Sequence, residues 1–368
     1  MIGRNQLLHC SLVETDGEKK WCEHEVQKFA TIISNYLTYV DISMYTESIK
    51  TNIINNLSEE ILLRTYSDNE LLWRMCVLKE SDTRHLIIWG ADHLIFGGMS
   101  AEIIKFQIEQ ELKGTSKMET PIRSFKEYVD VLKQGPIGIS EKELIEKFNL
   151  VKWSENNCKV LELPESNYNL RNNVKFIIPL PDKKHLDIWW YAFDFVSDIL
   201  RDYTEAEVIP FAVLEYARSY RDKDFYNSVG EFLDIVPIVS EKGKKTSVET
   251  AIQLCKDHSI NYLTLLGEER FSKEYPNLNQ LLGKYYFNDK KICNFILYNF
   301  QGFVKAEEKK AFAHNNTESS IARMSVTLNY DSDNLYIEFE DVIGIDEEKI
   351  EKIVEKRSEQ GEVITNEK

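Results

Sequence analysis

Apolar residues in this chain come either in short, strand-length runs or at helical spacing, and the two patterns alternate from end to end. The longest runs, such as Leu86–Trp89 and Val208–Leu214, fall far short of the roughly 20 residues that cross a bilayer. A chain with this alternation folds by laying helices on sheets. The expected class is therefore α/β, with helices packed on sheets. Its 368 residues suffice for two domains at roughly 150 residues each, and for a core that needs no disulfide or structural metal. No repeat of solenoid or propeller length is present. The net charge of −16 excludes a general nucleic-acid or anionic-membrane binder, since both need positive surface.

The six cysteines, at 10, 22, 76, 158, 255 and 293, are scattered and form no CxxC pair. The first 20 residues lack the basic-then-apolar design of a signal peptide. Free thiols in a reducing cytoplasm are expected. Cys22 with His24, and Cys255 with His258, each begin a ligand set that nothing nearby completes, so no metal site is expected.

Pattern and turn chemistry place the elements. Gln6–Val13 and Lys20–His24 read as a hairpin about Asp16-Gly17, and Glu70–Lys79 with Arg84–Trp89 as a second. Met99–Leu112 has helical spacing, with Ser100 as a candidate cap. Phe125–Leu132 and Ser140–Phe148 follow as helices, the latter opened by a Ser140/Glu143 capping box. The polar stretch Leu163–Asn173 marks the boundary between an N-terminal lobe, 1–165, and a C-terminal lobe, 174–368. Beyond it come a strand at Val174–Pro179, a long aromatic helix at Leu186–Tyr203, and strands at Glu207–Ser219 and Phe232–Val239. A helix at Ser247–Asp257, a strand at Ile292–Phe300, a hairpin about Ser332-Asp333 and a closing helix at Ile345–Arg357 complete the chain. The aromatic helix, with Trp189, Trp190, Tyr191, Phe193 and Phe195, reads as core, with a tunnel lining as the functional alternative. Lys242, Lys244 and Lys245 read as a solvated loop, or as a contact for an acidic partner.

The segment Arg84–Ser100, RHLIIWGADHLIFGGMS, carries the chemistry. A strand runs into Asp92-His93, then Gly97-Gly98, then a helix. The glycine pair lacks the spacing of a phosphate loop. The run resembles the HHxxxDGxS signature of the condensation domains of nonribosomal peptide synthetases, which share the chloramphenicol acetyltransferase fold. His93, Gly98 and Ser100 match it, whereas Asp92 stands for its first histidine and Gly97 for its aspartate. Other stretches fall in the family's order. Arg4–Leu12 resembles its RHxxLRTxF run, with His9 at the second arginine. Ser124–Leu132 resembles the helix that follows the signature, and Ile209–Arg218 its "GR" region. Val229–Pro237 is similar to VGxFVNTxP around Gly230, with Asp234 at the asparagine. Leu297–Gly302 is similar to a FNYxG strand containing Asn299. The family's opening strand, helix and first motif have no counterpart, so an open sheet edge is expected in the first lobe.

The resemblance implies two chloramphenicol acetyltransferase-like lobes, each a mixed sheet flanked by helices. It also implies an acyltransferase that joins a carrier-bound thioester to a carrier-bound amine as an amide. His93 would be the catalytic residue, as a base or as a group that positions the amine. Asp92, Gly97, Gly98, Ser100, Arg4, His9, Gly230, Asp234 and Asn299 would support the motifs. The family's signature aspartate pairs with an arginine; here both positions differ, at Gly97 and His9, so the loop carrying His93 would lack that tether. No cofactor is expected on the chain itself; substrates would arrive on the phosphopantetheine arms of peptidyl or acyl carrier proteins. Other synthetase domains are further expected partners, with no nucleic acid and no membrane. The altered signature leaves a second expectation, a catalytically inactive condensation-like docking module.

Overall fold

The computed structural model describes residues 2–25, 33–115, 122–148, 174–181, 187–206, 208–220, 223–243, 248–267, 269–286, 293–303, 322–340 and 346–360. It divides into two compact units, Met1–Val131 with Asp222–Leu233, and Leu132–Arg221 with Asp234–Lys368. The expected boundary, Leu163–Asn173, lies outside the described residues. So do Lys244 and Lys245.

In the first unit, strands β1 (Cys10–Thr15) and β2 (Glu18–Glu23) pair antiparallel. Asp16 (φ 56°) and Gly17 (φ 77°) both sit in the left-handed region, the two-residue turn whose twist matches a hairpin. Strand structure was expected from Gln6, but Gln6–His9 is a 3₁₀ turn that buries Leu7, Leu8 and His9 in succession. A strand sends consecutive side chains to opposite faces, so burying three in a row favours the helical turn. The main sheet of this unit runs β3 (Leu37–Asp41), β4 (Trp73–Lys79), β5 (His85–Ala91). β3 and β4 are parallel and are joined through helix α1 (Glu47–Leu62), the crossover that parallel neighbours require. β4 and β5 form the expected hairpin, in register from Trp73↔Ala91 to Lys79↔His85. Helices α2 (Gly98–Leu112) and α3 (Phe125–Leu132) follow. Leu8, Leu71, Trp73, Met75, Ile95, Ile104 and Val229 form one core cluster.

The second unit is built on a six-stranded mixed sheet. Its order is β8 (Leu233–Glu241), β7 (Val208–Tyr216), β9 (Cys293–Phe303), β10 (Ala322–Tyr330), β11 (Asn334–Glu340), β6 (Val174–Pro179). β7, β9 and β10 run parallel, and β11 is antiparallel to both of its neighbours. Helix α4 (Glu141–Lys147) opens with the expected capping box. Helix α5 (Ile188–Thr204) is capped by Asp187, which accepts from Trp190 N at 3.1 Å. Its aromatic face is core: Tyr191, Phe193 and Phe195 are buried, and the Phe193 ring lies 4.8 Å from Phe211 and 5.2 Å from Tyr298. Helices α6 (Val248–His258), α7 (Tyr262–Gly267), α8 (Glu269–Glu274), α9 (Pro276–Tyr286) and α10 (Glu347–Gln360) complete the unit. Among the described residues no helix is long and apolar enough to cross a membrane.

Candidate active site

β5 ends at Ala91, and the next residue is pinned at once: Asp92 N donates to Leu72 O at 2.8 Å. The Asp92 side chain accepts from Leu94 N at 2.9 Å, and the Ile95 and Phe96 amides turn back to the carbonyls of Asp92 and His93. This compact Asx-type turn drives Ile95 fully into the core. It also sets Phe96 on Trp89, which stacks in turn on Trp73. His93 is thus presented at the tip of a turn whose flanking residues are packed.

Helix α2 starts immediately afterwards. Ser100 was a candidate cap, but the N-cap is Gly97, in extended backbone and without a side-chain bond. The Ser100 hydroxyl is used elsewhere: it donates to Gly230 O at 2.8 Å and accepts from Gly230 N at 3.0 Å. One buried hydroxyl therefore satisfies both backbone groups of Gly230, a residue 130 positions away in sequence. Gly97 N adds a bond to the same carbonyl at 3.4 Å. Gly230 has to be glycine for room, since a Cβ there would lie 2.6 Å from the Phe125 ring and 2.8 Å from that of Phe232.

Fixing Gly230 fixes Glu231. Its Oε2 lies 3.1 Å from His93 Nδ1, with the histidine side chain 80 % exposed and the glutamate 22 %. That Oε2 atom is itself buried, and no hydrogen bond to it is aligned, so the imidazole is the cationic partner within its reach. The Glu231 carboxylate holds the His93 pKa above the ordinary imidazole value, against the smaller opposing effect of burial; Asp92 acts in the same direction as Glu231. The contact is an ion-pair distance between a carboxylate oxygen and an imidazole nitrogen, and it favours the protonated ring. The arrangement is an exposed imidazole held beside one carboxylate.

The structure brings Asp92, His93, Gly97, Gly98, Ser100 and Gly230 together. Arg4 pairs with Glu111 at 3.3 Å, on the last turn of α2 and about 20 Å along the helix from Gly98 at 1.5 Å per residue. His9 is buried, with Nδ1 3.3 Å from His24 O and 3.8 Å from Glu23. Asp234 and Asn299 belong to the second unit. Asp234 is buried, and its Oδ1 accepts from Ile235 N (2.8 Å), Tyr262 N (2.8 Å) and Leu263 N (3.2 Å), which caps α7. Asn299 stands on β9 opposite Thr327. A groove of about 760 Å³ in this unit is lined by charged residues including Arg201, Lys349 and Arg357. Its charges are largely spent on one another: Arg357 pairs with Asp198 and Asp202 at 2.6 and 2.7 Å, and Arg201 with Asp198 at 2.5 Å. Among the described residues no group of three or more His, Cys, Asp or Glu is placed to hold a metal ion.

The residue that motif reading passed over is Glu231. It occupies the variable position of VGxF, where only its charge marked it out.

No protein-family model and no curated protein sequence matches this chain. Solved structures match over nearly all of it. The epimerization domain from the third module of tyrocidine synthetase B is 14% identical with a TM-score of 0.60, over 97% of this chain and 84% of that one. A structure describing condensation domain-mediated chain release from the enacyloxin polyketide synthase is 12% identical with a TM-score of 0.63, over 100% and 74%. The starter condensation domain of rhizomide synthetase is 12% identical with a TM-score of 0.59, over 98% and 83%. At these identities the likeness establishes the fold. The chain has the two-lobed fold of condensation domains, the architecture implied by the motif resemblance.

Proposed function

We propose that the protein is a condensation-type acyltransferase that joins a carrier-bound thioester to a carrier-bound amine in nonribosomal peptide synthesis. The observation that carries this reading is the His93–Glu231 contact at 3.1 Å, on the loop whose sequence resembles the condensation signature. In the proposed step the amine nitrogen attacks the thioester carbonyl. A C–N bond forms, the C–S bond breaks, and the thiol of the donor's phosphopantetheine arm leaves. The amine proton passes to His93 Nε2 and then to the departing sulfur, so atoms and charge balance. Holding amine and thioester together supplies much of the rate, and the imidazole's share is that of a positioned base. No cofactor is needed on the chain. Partners are peptidyl or acyl carrier proteins and neighbouring synthetase domains, and the free thiols of Cys10, Cys22, Cys76 and Cys255 suit a reducing cytoplasm.

The test is amide formation with loaded carrier proteins. His93→Ala should lower the rate by about 10²–10⁴ in protein that thermal unfolding shows to be folded. Equal yields from both proteins, above the enzyme-free background, would remove His93 from the chemistry. No product from either would favour the docking module, a reading that the substituted signature positions Gly97 and His9 already motivate.

A further inference from the structure

We propose that Glu231 is the positioning residue for His93, and that Gly97 is the residue that makes room for it. A Cβ built on Gly97 would lie 2.5 Å from Glu231 Oε2 and 3.3 Å from its carboxyl carbon. The carboxylate therefore occupies the space that any side chain at position 97 would need. Gly97 is not required for its backbone: φ is −87° and ψ 169°, an extended conformation open to every residue. Nor does a core wall press on it, since the atoms nearest the added Cβ all belong to the Glu231 side chain. The nearest steric consequence of the glycine is the room it leaves for this carboxylate beside His93.

Three features on the page converge on this assignment. The Ser100–Gly230 double hydrogen bond fixes the backbone next to Glu231. The absent side chain at 97 opens the approach. The exposed imidazole supplies the only counter-charge in contact with the buried Oε2 among the described residues. The charged groups acting on His93 are Glu231 and, more weakly, Asp92, and Asp92 is itself occupied by the Leu94 amide. Glu231 thus holds the ring by its charge at 3.1 Å and raises its affinity for a proton. The assignment deepens the proposed acyl-transfer role, but its first test does not depend on that role.

The experiment is an NMR titration of the histidine rings in the full chain, with His93→Ala assigning one resonance set among the seven histidines. Variants Glu231→Gln and Gly97→Ala are compared with the parent protein, each checked by thermal unfolding. Glu231→Gln keeps the shape and removes the charge, so the His93 midpoint should move to lower pH. Gly97→Ala leaves the glutamate in place but drives its flexible end off the ring, so the same shift should appear; the double variant should shift no further. In the amide-formation assay both variants should lower kcat about tenfold with little change in KM, the scale of about one pH unit of lost proton affinity. They should also move the pH–rate midpoint with the NMR midpoint. An unchanged His93 titration in Glu231→Gln would overturn the assignment. A shift in Glu231→Gln but none in Gly97→Ala would overturn the role of Gly97. If the parent protein makes no amide at all, the acyl-transfer reading fails while the titration still decides this one.

Discussion

Asp234→Asn should stabilise the second unit above neutral pH and do little under acidic conditions. Asp234 is 1% exposed, and burial raises its pKa from 3.8 to about 7 against three opposing backbone N–H donors, with Glu215 adding to the rise. A carboxyl whose folded pKa lies above its unfolded value favours folding while protonated. Its contribution is complete below about pH 4 and is lost as pH rises through about 7. The difference of about three pH units, at about 1.36 kcal/mol each, sets a ceiling of about 4 kcal/mol lost on full ionisation. Asparagine keeps an oxygen for the Ile235, Tyr262 and Leu263 amides and has no charge to desolvate.

Urea unfolding of both proteins across a pH series reads this directly. The stability gap should widen by about 2–3 kcal/mol between about pH 5 and pH 8. Parallel profiles would refute the reasoning. They would mean that three amides at the start of a helix hold the carboxylate ionised and that desolvation is the smaller effect.

Ser100→Ala should destabilise the first unit by about 1–3 kcal/mol, because it removes two buried hydrogen bonds to the Gly230 backbone; denaturant midpoints check this. It should also lower the His93 NMR midpoint, since the backbone beside Glu231 loses its tether. Tyr298→Phe should stabilise the second unit by about 1 kcal/mol, since the Tyr298 hydroxyl is buried with no hydrogen-bond partner among the described residues and its removal ends a desolvation cost; thermal unfolding measures it. Amide formation should rise with pH through a midpoint above that of an ordinary histidine, because His93 must be neutral to accept a proton and Glu231 favours its charged form.

Strands and helices with strong periodicity were legible. The β4/β5 hairpin, α2, the capping box of α4 and the β10/β11 hairpin all stand within a few residues of their expected places. What was not legible has physical reasons. β3 is only five residues long and alternates weakly. Helix α1 does carry an apolar stripe, Ile53, Ile54, Leu57 and Ile61, which packs into one cluster, and the sequence reading passed over it. Helices α7 and α8 have six residues each, too few for a period to register. Gly90 carried a tertiary signal that local reading cannot decode: a Cβ there would lie 2.6 Å from the Ile61 carbonyl oxygen, so glycine lets α1 lie on β5.

The site shows the same limit more sharply. His93, Gly98, Ser100 and Gly230 could be picked from motif position, yet the roles differ from those that position suggests. Ser100 reads as a helix cap and serves as a cross-link to Gly230. Gly97 reads as a lost carboxylate, and in the structure a carboxylate from Glu231 fills the space it leaves. Positions 97 and 231 are 134 residues apart, and either substitution alone is uninterpretable: glycine at 97 looks like damage, and glutamate at 231 like a surface charge. Together they place one carboxylate in the space left free at position 97, with Oε2 3.1 Å from His93 Nδ1. On that account, restoring aspartate at 97 should set two carboxylates against each other, and Gly97→Asp should be less destabilising in a Glu231→Gln background than in the parent protein, by about 0.5–3 kcal/mol in a double-mutant cycle. Additivity of the two changes would show that the carboxylates do not meet and that the glycine at 97 is unrelated to Glu231.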